Sequence, residues 1–548
     1  MKKIWWKEAV IYQIYPRSFK DSKGDGVGDL QGIIEKLDYL ALLGVDVLWL
    51  SPIFKSPNDD NGYDVSDYCA IMEEFGTMED FEELLAKAHA KGLKIILDLV
   101  VNHSSDEHEW FQQSRQSANN PYADYYIWKK EKPNNWQSFF GGDAWQYDEQ
   151  RKAYYLHLFT KKQPDLNWEN PKVRQEVYKM MRFWYEKGVD GFRMDVIPLI
   201  SKRLDFPNAP ADFKATIDTI YANGPRVHEF LKEMNEQANL PYDVMTVGEG
   251  IGVSKENCLE YVGEDRSELN MLYHFDQLFL GYEGGDRLNS HGFTLIELKQ
   301  TFREWHEAIG EKGWVNICLD NHDFARMVSR FGNDKVYRKE SAKLLATLLL
   351  TLRGTPCIYQ GSEIGMTNVA FPSIADYDDV ANLSTITEWQ EQGKDMEGLL
   401  RRIQEGGRDN ARTPVQWNNY EQAGFTSGTP WLKINPNYSS INVANALVYK
   451  DSIFYYYQKM LALRKAHKTL VYGDYQEFLP QHREVYFYER KDESGRYLVL
   501  LNFSSEVQAI FGVPDFSTAS LLIGNYNNPD NRKVLQPWEA RVYSFKNS

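Results

Sequence analysis

Three apolar runs mark the first part of the chain: VIYQIYP at 10–16, VDVLWLSP at 45–52 and KIILDLVVNH at 94–103. Each is short and continuous, the pattern of a strand buried on both faces of a parallel sheet. Between them the apolar residues fall at helical spacing. Leu30, Ile33, Ile34, Leu37, Leu40 and Ala41 predict a helix over 30–43, and a second over 78–92 ends at a glycine. The alternation then breaks. The stretch 104–170 is rich in Asn, Gln, Trp, Tyr and Gly and carries only short pieces such as KAYYLHLF, which predicts an insertion of irregular strands and loops. A helix at 171–187 restarts the pattern, and strands follow at 188–196 (GVDGFRMDV), 245–250 (MTVGEG), 272–276 (LYHFD), 314–323 (WVNICLDNHD) and 355–361 (TPCIYQG).

Eight strands, each followed by a helix-compatible stretch, predict an α/β fold: a (β/α)8 TIM barrel with an inserted subdomain after strand 3. Near the end the period falls to two. VYFYERK, RYLVLLNF and ARVYSF alternate apolar and polar residues between turn residues, as in a C-terminal antiparallel β domain of sandwich type. The expected division is barrel at 1–104, inserted subdomain at 105–172, barrel at 173–477 and β domain at 478–548.

Charge narrows the function classes. Lys and Arg number 62 against 78 Asp and Glu, a net charge of −16. An acidic chain is a poor match to nucleic acid or to anionic membrane surfaces. Mean hydropathy is −0.55, and no apolar run approaches the roughly 18 residues a membrane span needs. The N-terminal MKKIWWKEAV lacks the apolar core and small-residue cleavage site of a signal peptide. The four cysteines, Cys69, Cys258, Cys318 and Cys357, are widely spaced and read as reduced and mostly buried. A cytoplasmic location is expected. Oligomeric state is not legible in the sequence.

In a barrel of this kind the active site lies at the C-terminal ends of the strands. The third strand ends in Asp98, Asn102 and His103, the fourth in Arg193 and Asp195, the fifth in Glu249, and the seventh in His322 and Asp323. Crowded carboxylates repel one another and burial raises their pKa, so one of them should hold its proton near neutrality. Glycoside hydrolysis needs that division between an ionised and a protonated carboxyl.

These residues carry a resemblance. DLVVNH at 98–103, GFRMD at 191–195, VGEG at 247–250 and LDNHD at 319–323 resemble the four ordered motifs of the α-amylase family of glycoside hydrolases (family 13), in its oligo-1,6-glucosidase and α-glucosidase branch. QPDLNW at 163–168 resembles a fifth, and the likeness covers nearly the whole chain. The resemblance implies a retaining mechanism: Asp195 as nucleophile, Glu249 as acid and then base, and Asp323 as the group that binds ring hydroxyls and stabilises the transition state. Arg193, two residues before Asp195, is expected to keep that carboxylate ionised. His103 and His322 are expected to donate hydrogen bonds to glucose hydroxyls.

SPNDDNGYDVSDY and GGRDNARTPVQW resemble segments that close the pocket in exo-acting members. They imply an Asp60–Arg408 pair gripping the terminal glucose, with Arg412 as rival to Arg408, and Tyr63 stacking on the sugar. Asp64 is expected either in the site or in a salt bridge with an arginine. Val196 after the nucleophile accompanies α-1,6 preference in this branch, where Ala or Thr goes with α-1,4. The segment at 21–29 resembles the family's calcium loop, with Asp21, Asp25 and Asp29 as oxygen ligands of a structural ion. Lys23 departs from that pattern, since its ammonium would take the cation's place or repel it. Phe324, the GSE at 361–363 and the GEG at 248–250 also depart, all on the leaving-group side.

The reading is an exo-acting α-glucosidase on short α-glucosides, leaning to isomaltose-type links, that takes a small oligosaccharide and needs no cofactor for catalysis. The alternatives are a sucrose isomerase making isomaltulose or trehalulose, and a trehalose-6-phosphate hydrolase. A non-catalytic relative of transporter ectodomains fits poorly, because all three carboxylates are present and no span is seen.

Overall fold

The structure is a computed structural model describing residues 4–527 and 531–545. The first three residues of the N-terminal segment and the last three of the β domain lie outside it. Eight parallel strands form one sheet: β1 (Ile11–Ile14), β2 (Val47–Leu50), β3 (Lys94–Leu99), β4 (Gly191–Met194), β5 (Met245–Glu249), β6 (Met271–Tyr273), β7 (Asn316–Ile317) and β8 (Thr355–Tyr359). Their order is β6-β5-β4-β3-β2-β1-β8-β7. A parallel bridge between Leu272 and Val315 joins the two ends and closes the barrel. Seven of the eight strands lie within the segments expected from the sequence, and β6 starts one residue ahead of its segment, at Met271; β7 is cut to two residues, and its motif LDNHD runs on as rim.

The strand period divides the core in two. Ile11, Val47, Trp49, Ile96, Met245, Val247 and Met271 pack together in the lumen, while Tyr12, Leu48, Leu50, Ile95, Leu97 and Phe192 belong to the layer beneath the helices. Alternate side chains face opposite ways, so both layers come from the same runs. The expected helix over 30–43 is two, Leu30–Glu35 and Leu37–Leu43. The Lys36 amide bonds to Ile33 and Ile34 carbonyls, tightening the chain there. The Asp29 side chain caps the first piece, and left-handed Gly44 stops the second.

Two excursions from the barrel build the site walls. The first, after β3, carries a small sheet of Trp128–Lys129, Ala153–Leu156 and Trp145–Asp148. The second, after β8, carries helices Val380–Glu391 and Met396–Gly406 and was not foreseen. The C-terminal sheet has five strands, β9 (Asp474–Phe478), β10 (Val485–Asp492), β11 (Gly495–Asn502), β12 (Ser520–Gly524) and β13 (Ala540–Ser544), in the order β9-β10-β11-β13-β12. The half-exposed, charged DYQEF of β9 begins ahead of the expected boundary at 478. The cysteines are all free; three are buried and Cys69 is exposed. Among the described residues no helix is long and apolar enough to cross a membrane.

Candidate active site

Arg193 on β4 is the hub of the rim. Its buried guanidinium meets three carboxylates: Nη1 lies 2.7 Å from both Asp98 Oδ1 and Asp195 Oδ1, and Nη2 lies 2.7 Å from Glu249 Oε2. Nη2 also donates to the Tyr273 hydroxyl at 2.6 Å. The Trp49 ring lies 5.1 Å from the guanidinium carbon.

One positive charge faces three buried negative ones. Burial pushes the Asp195 carboxyl well above the usual carboxylate range, and neighbouring Glu249 adds to the rise against the pull of Arg193. Burial likewise pushes Asp98 up to about 6. Arg193 acts to keep Asp195 ionised, but its charge is divided among three partners.

Val196 follows Asp195 in the left-handed region, at φ 34° and ψ 38°. That conformation is an outlier for a β-branched residue. It turns the Val196 amide onto Glu249, 2.8 Å from Oε2. The side chain joins an apolar cluster with Trp136 and Trp145 of the inserted wall and Phe206 of the segment after β4.

Asp323 is held differently. Arg408 Nη1 and Arg412 Nη2 each lie 3.1 Å from its Oδ1, and Arg287 donates to its backbone oxygen at 2.7 Å. Burial alone would raise its pKa, but His322 and the Arg408, Arg412 and Arg287 guanidiniums outweigh it and hold the carboxyl well below the usual range. His322 itself is pushed down to about 3, mainly by burial. It is neutral at working pH, so the guanidiniums carry the effect there.

Neutral His322 serves a hydrogen-bond chain. The Gln13 amide donates to Nδ1 at 2.8 Å, which leaves Nε2 as the donor, 2.7 Å from the Tyr63 hydroxyl and 3.2 Å from Asp323 Oδ2. The Tyr63 hydroxyl donates in turn to Asp98 Oδ2 at 3.1 Å, and the Tyr63 and His322 rings stack 5.4 Å apart at 5°. His103, pushed down to about 4 by burial, faces the Tyr63 carbonyl at 3.1 Å.

The structure brings Asp60, Tyr63, His103, Asp195, Val196, Glu249, His322, Asp323 and Arg408 to one cavity of about 1620 Å³, with Arg193 beneath its floor. The Asp60–Arg408 pair is looser than expected, at 3.9 Å. Arg408 is drawn instead to Asp379, which its Nε meets at 2.9 Å. Asp379 arrives on the unforeseen excursion after β8 and left no mark in the sequence. Asp60 accepts from Gln163 at 3.1 Å, and burial pushes it up to about 7 despite both arginines. Among the described residues Asp64 pairs with no arginine: its carboxylate accepts the Asp59 and Asp60 amides at 2.9 and 3.0 Å and fixes the turn that presents Asp60.

The 21–29 loop does not gather three carboxylates. Asp21 accepts the amides of Lys23, Gly24 and Gly26 and the Thr426 hydroxyl. Asp29 accepts from Ser22 and Gly32, Asp25 from Val27, and Lys23 donates to the Glu74 carbonyl. These carboxylates accept nearby amides and hydroxyls, those of Gly32 and Thr426 beyond the loop included, and do not converge on one point as a calcium cage would. Among the described residues no group of three or more His, Cys, Asp or Glu stands ready for a metal.

Carboxylates and neutral imidazoles at the C-terminal rim of a closed (β/α)8 barrel, gathered round one guanidinium in a deep cavity, define a glycoside hydrolase. Residues 13–473 match the family model "Alpha amylase, catalytic domain". The chain belongs to the alpha-amylase family. It is 53% identical to the oligo-1,6-glucosidase of Parageobacillus thermoglucosidasius over the full length of both chains. Among solved structures it resembles a mutant isomaltulose synthase from Erwinia rhapontici in complex with sucrose, with a TM-score of 0.96 and 44% identity over 99% of each chain. It also resembles a mutant trehalose-6-phosphate hydrolase from Bacillus licheniformis, with a TM-score of 0.95 and 46% identity over 99% of this chain and 100% of that one.

Proposed function

We propose that the protein is a retaining, exo-acting α-glucosidase that releases glucose from the non-reducing ends of short α-glucosides, with α-1,6 links preferred. The observation that carries the reading is the meeting of Asp195 and Glu249 on one guanidinium. A shared guanidinium keeps the two carboxyls near each other, which suits the roughly 5–5.5 Å of a retaining pair better than the wider gap of an inverting one. Asp195 attacks C1 of the terminal glucose while Glu249 gives its proton to the leaving oxygen. Glu249 then draws a proton from water, which releases glucose from Asp195 with its α configuration kept. Asp323, held ionised by its arginines, binds ring hydroxyls and faces the positive charge that develops on the sugar. Asp60 and Arg408 bound the terminal glucose, and Tyr63 packs against it. No step calls for a cofactor.

Rim charge favours neutral sugars. Asp218, Asp276, Asp286, Glu297 and Glu304 line the mouth, and its lysines, Lys214 and Lys255, are already paired with Asp218 and Glu304. A sugar phosphate would meet net repulsion. Val196 and the oligo-1,6-glucosidase relative support the α-1,6 preference. Free thiols at all four cysteines suit a reducing compartment, so we place the enzyme in the cytoplasm.

The test is product chromatography after separate incubation with isomaltose, maltose, sucrose and trehalose 6-phosphate. Glucose released fastest from isomaltose supports the proposal. Isomaltulose or trehalulose accumulating from sucrose would replace it with an isomerase.

A further inference from the structure

Gln13 is the one amide side chain in β1. It is fully buried and shares the lumen face of the strand with Ile11. Its Nε2 lies 2.8 Å from His322 Nδ1 and 3.1 Å from Ser51 Oγ. Its Oε1 is buried with no hydrogen-bond partner among the described residues. A buried carbonyl left unpaired costs stability. A residue kept only for packing has no need to carry that cost, so the reason for the amide lies at the ring it faces.

Two stacked rings already fix the plane of His322. Tyr63 and Tyr15 lie against it at 5.4 and 5.9 Å, inclined by 5° and 19°. What is left to set is which nitrogen carries the proton. Burial keeps the imidazole neutral against the pull of Asp323, and the Arg412, Arg193 and Arg408 guanidiniums also oppose a second proton. A neutral ring has one N–H, and its place follows from the hydrogen bond made by the other nitrogen.

With the proton on Nε2, the ring donates towards the Tyr63 hydroxyl at 2.7 Å and the ionised Asp323 Oδ2 at 3.2 Å. Tyr63 is then free to donate to Asp98 at 3.1 Å. With the proton on Nδ1, the Nε2 lone pair would face the Asp323 carboxylate, and Tyr63 would have to leave Asp98 to satisfy it. The NH2 of Gln13 at Nδ1 admits the first arrangement alone.

We propose that Gln13 is a positioning residue for the reaction: its amide holds the His322 proton on Nε2, beside Asp323, where it serves the hydroxyls of the bound glucose. The inference rests on the function proposed above. Gln13 makes no bond to the sugar and acts through His322.

The experiment compares Gln13→Leu and Gln13→Glu with wild type. Gln13→Leu removes the donor and the unpaired carbonyl together, so the melting temperature should stay within about 2 °C. Its kcat on isomaltose should fall about 10- to 100-fold, the scale of one hydrogen bond to a charged group, with KM within about threefold. Gln13→Glu keeps the shape but offers an acceptor to Nδ1. In enzyme carrying 15N-histidine, the His322 signals, identified by their loss in His322→Asn, should show the Nε2–H form in wild type at every working pH. In Gln13→Glu they should lose that form and titrate between about pH 5 and 8. A Gln13→Leu enzyme with wild-type kcat overturns the inference and leaves the proposed function standing. A fall in kcat matched by a fall of several degrees in melting temperature, with the His322 signals unchanged in Gln13→Glu, reduces Gln13 to packing and overturns it as well. No glucose from any α-glucoside by wild type overturns both.

Discussion

The Val196 amide donates to Glu249 from a backbone conformation that valine avoids, with φ at 34° and a 2.8 Å bond to Oε2. Such strain costs about 1–3 kcal/mol and persists where the surrounding structure over-determines it. Here the residue that follows the proposed nucleophile holds Glu249, the proposed acid, with its backbone amide, while its side chain joins an apolar cluster.

Val196→Ala keeps the amide and removes two methyl groups. The ratio of kcat/KM for isomaltose to that for maltose should fall by about 10-fold, the scale of a methyl-sized contact. An unchanged ratio would remove Val196 from linkage choice.

Replacing Glu249 with Gln removes the proton donor while keeping the shape. Turnover of isomaltose should drop by about 10²–10⁴-fold. With an aryl α-glucoside whose phenolate leaves without a proton, added azide should rescue Glu249→Ala and give an α-glucosyl azide, because attack occurs on the covalent intermediate. A β-azide from this variant would contradict the assignment of Asp195 as nucleophile.

Arg193→Met leaves Asp98, Asp195 and Glu249 buried without their shared cation. Loss of such a partner typically costs about 3–5 kcal/mol. Urea unfolding should show that loss beside the loss of activity. A variant as stable as wild type would mean that water already supplies the missing counter-charge.

The pH profile follows from the directions of the shifts. Asp195 must be ionised to attack, and its pKa is raised, so kcat/KM should fall with falling pH well above the ordinary aspartate value of about 3.9. His322 and His103, pushed down to about 3 and about 4, stay neutral throughout and add no inflection near 6.5. Asp60, at about 7, should add one that disappears in Asp60→Asn. A step near 7 that is unchanged in Asp60→Asn would count against Asp60 as its source.

A chelator should leave the melting temperature within about 1 °C, because the Asp21 and Asp29 oxygens are taken by amides and hydroxyls. A larger fall reversed by calcium would show that the loop rearranges to bind the ion.

Much of this was legible in the sequence, for a physical reason. Strands buried on both faces must be continuous and apolar, so the polar residues that close them stand out: Asp98, Asp195, Glu249 and Asp323 all mark strand ends. Gln13 was visible too, as the one amide inside VIYQIYP, and it orients His322. The partners of Arg408 were hidden. Asp379 sits in a polar excursion whose composition resembles any surface segment, and only folding brings it to the guanidinium. The division of Arg193 among three carboxylates was equally unreadable, since it depends on distances across the barrel and on no spacing along it. For Asp64 and the 21–29 loop, residue type suggested ions where the oxygens in fact bind nearby amides.

The excursion after β8 has a consequence for the order of events during synthesis. Asp60 and Asp323 emerge from the ribosome well before Arg408 and Arg412, the cations that face them. Until the last barrel connection has emerged, Asp60 lacks both of its arginines and Asp323 has only Arg287 of its three. The growing chain has good reason to leave this end of the barrel open to water, and the pocket becomes a closed chamber only as its final wall arrives.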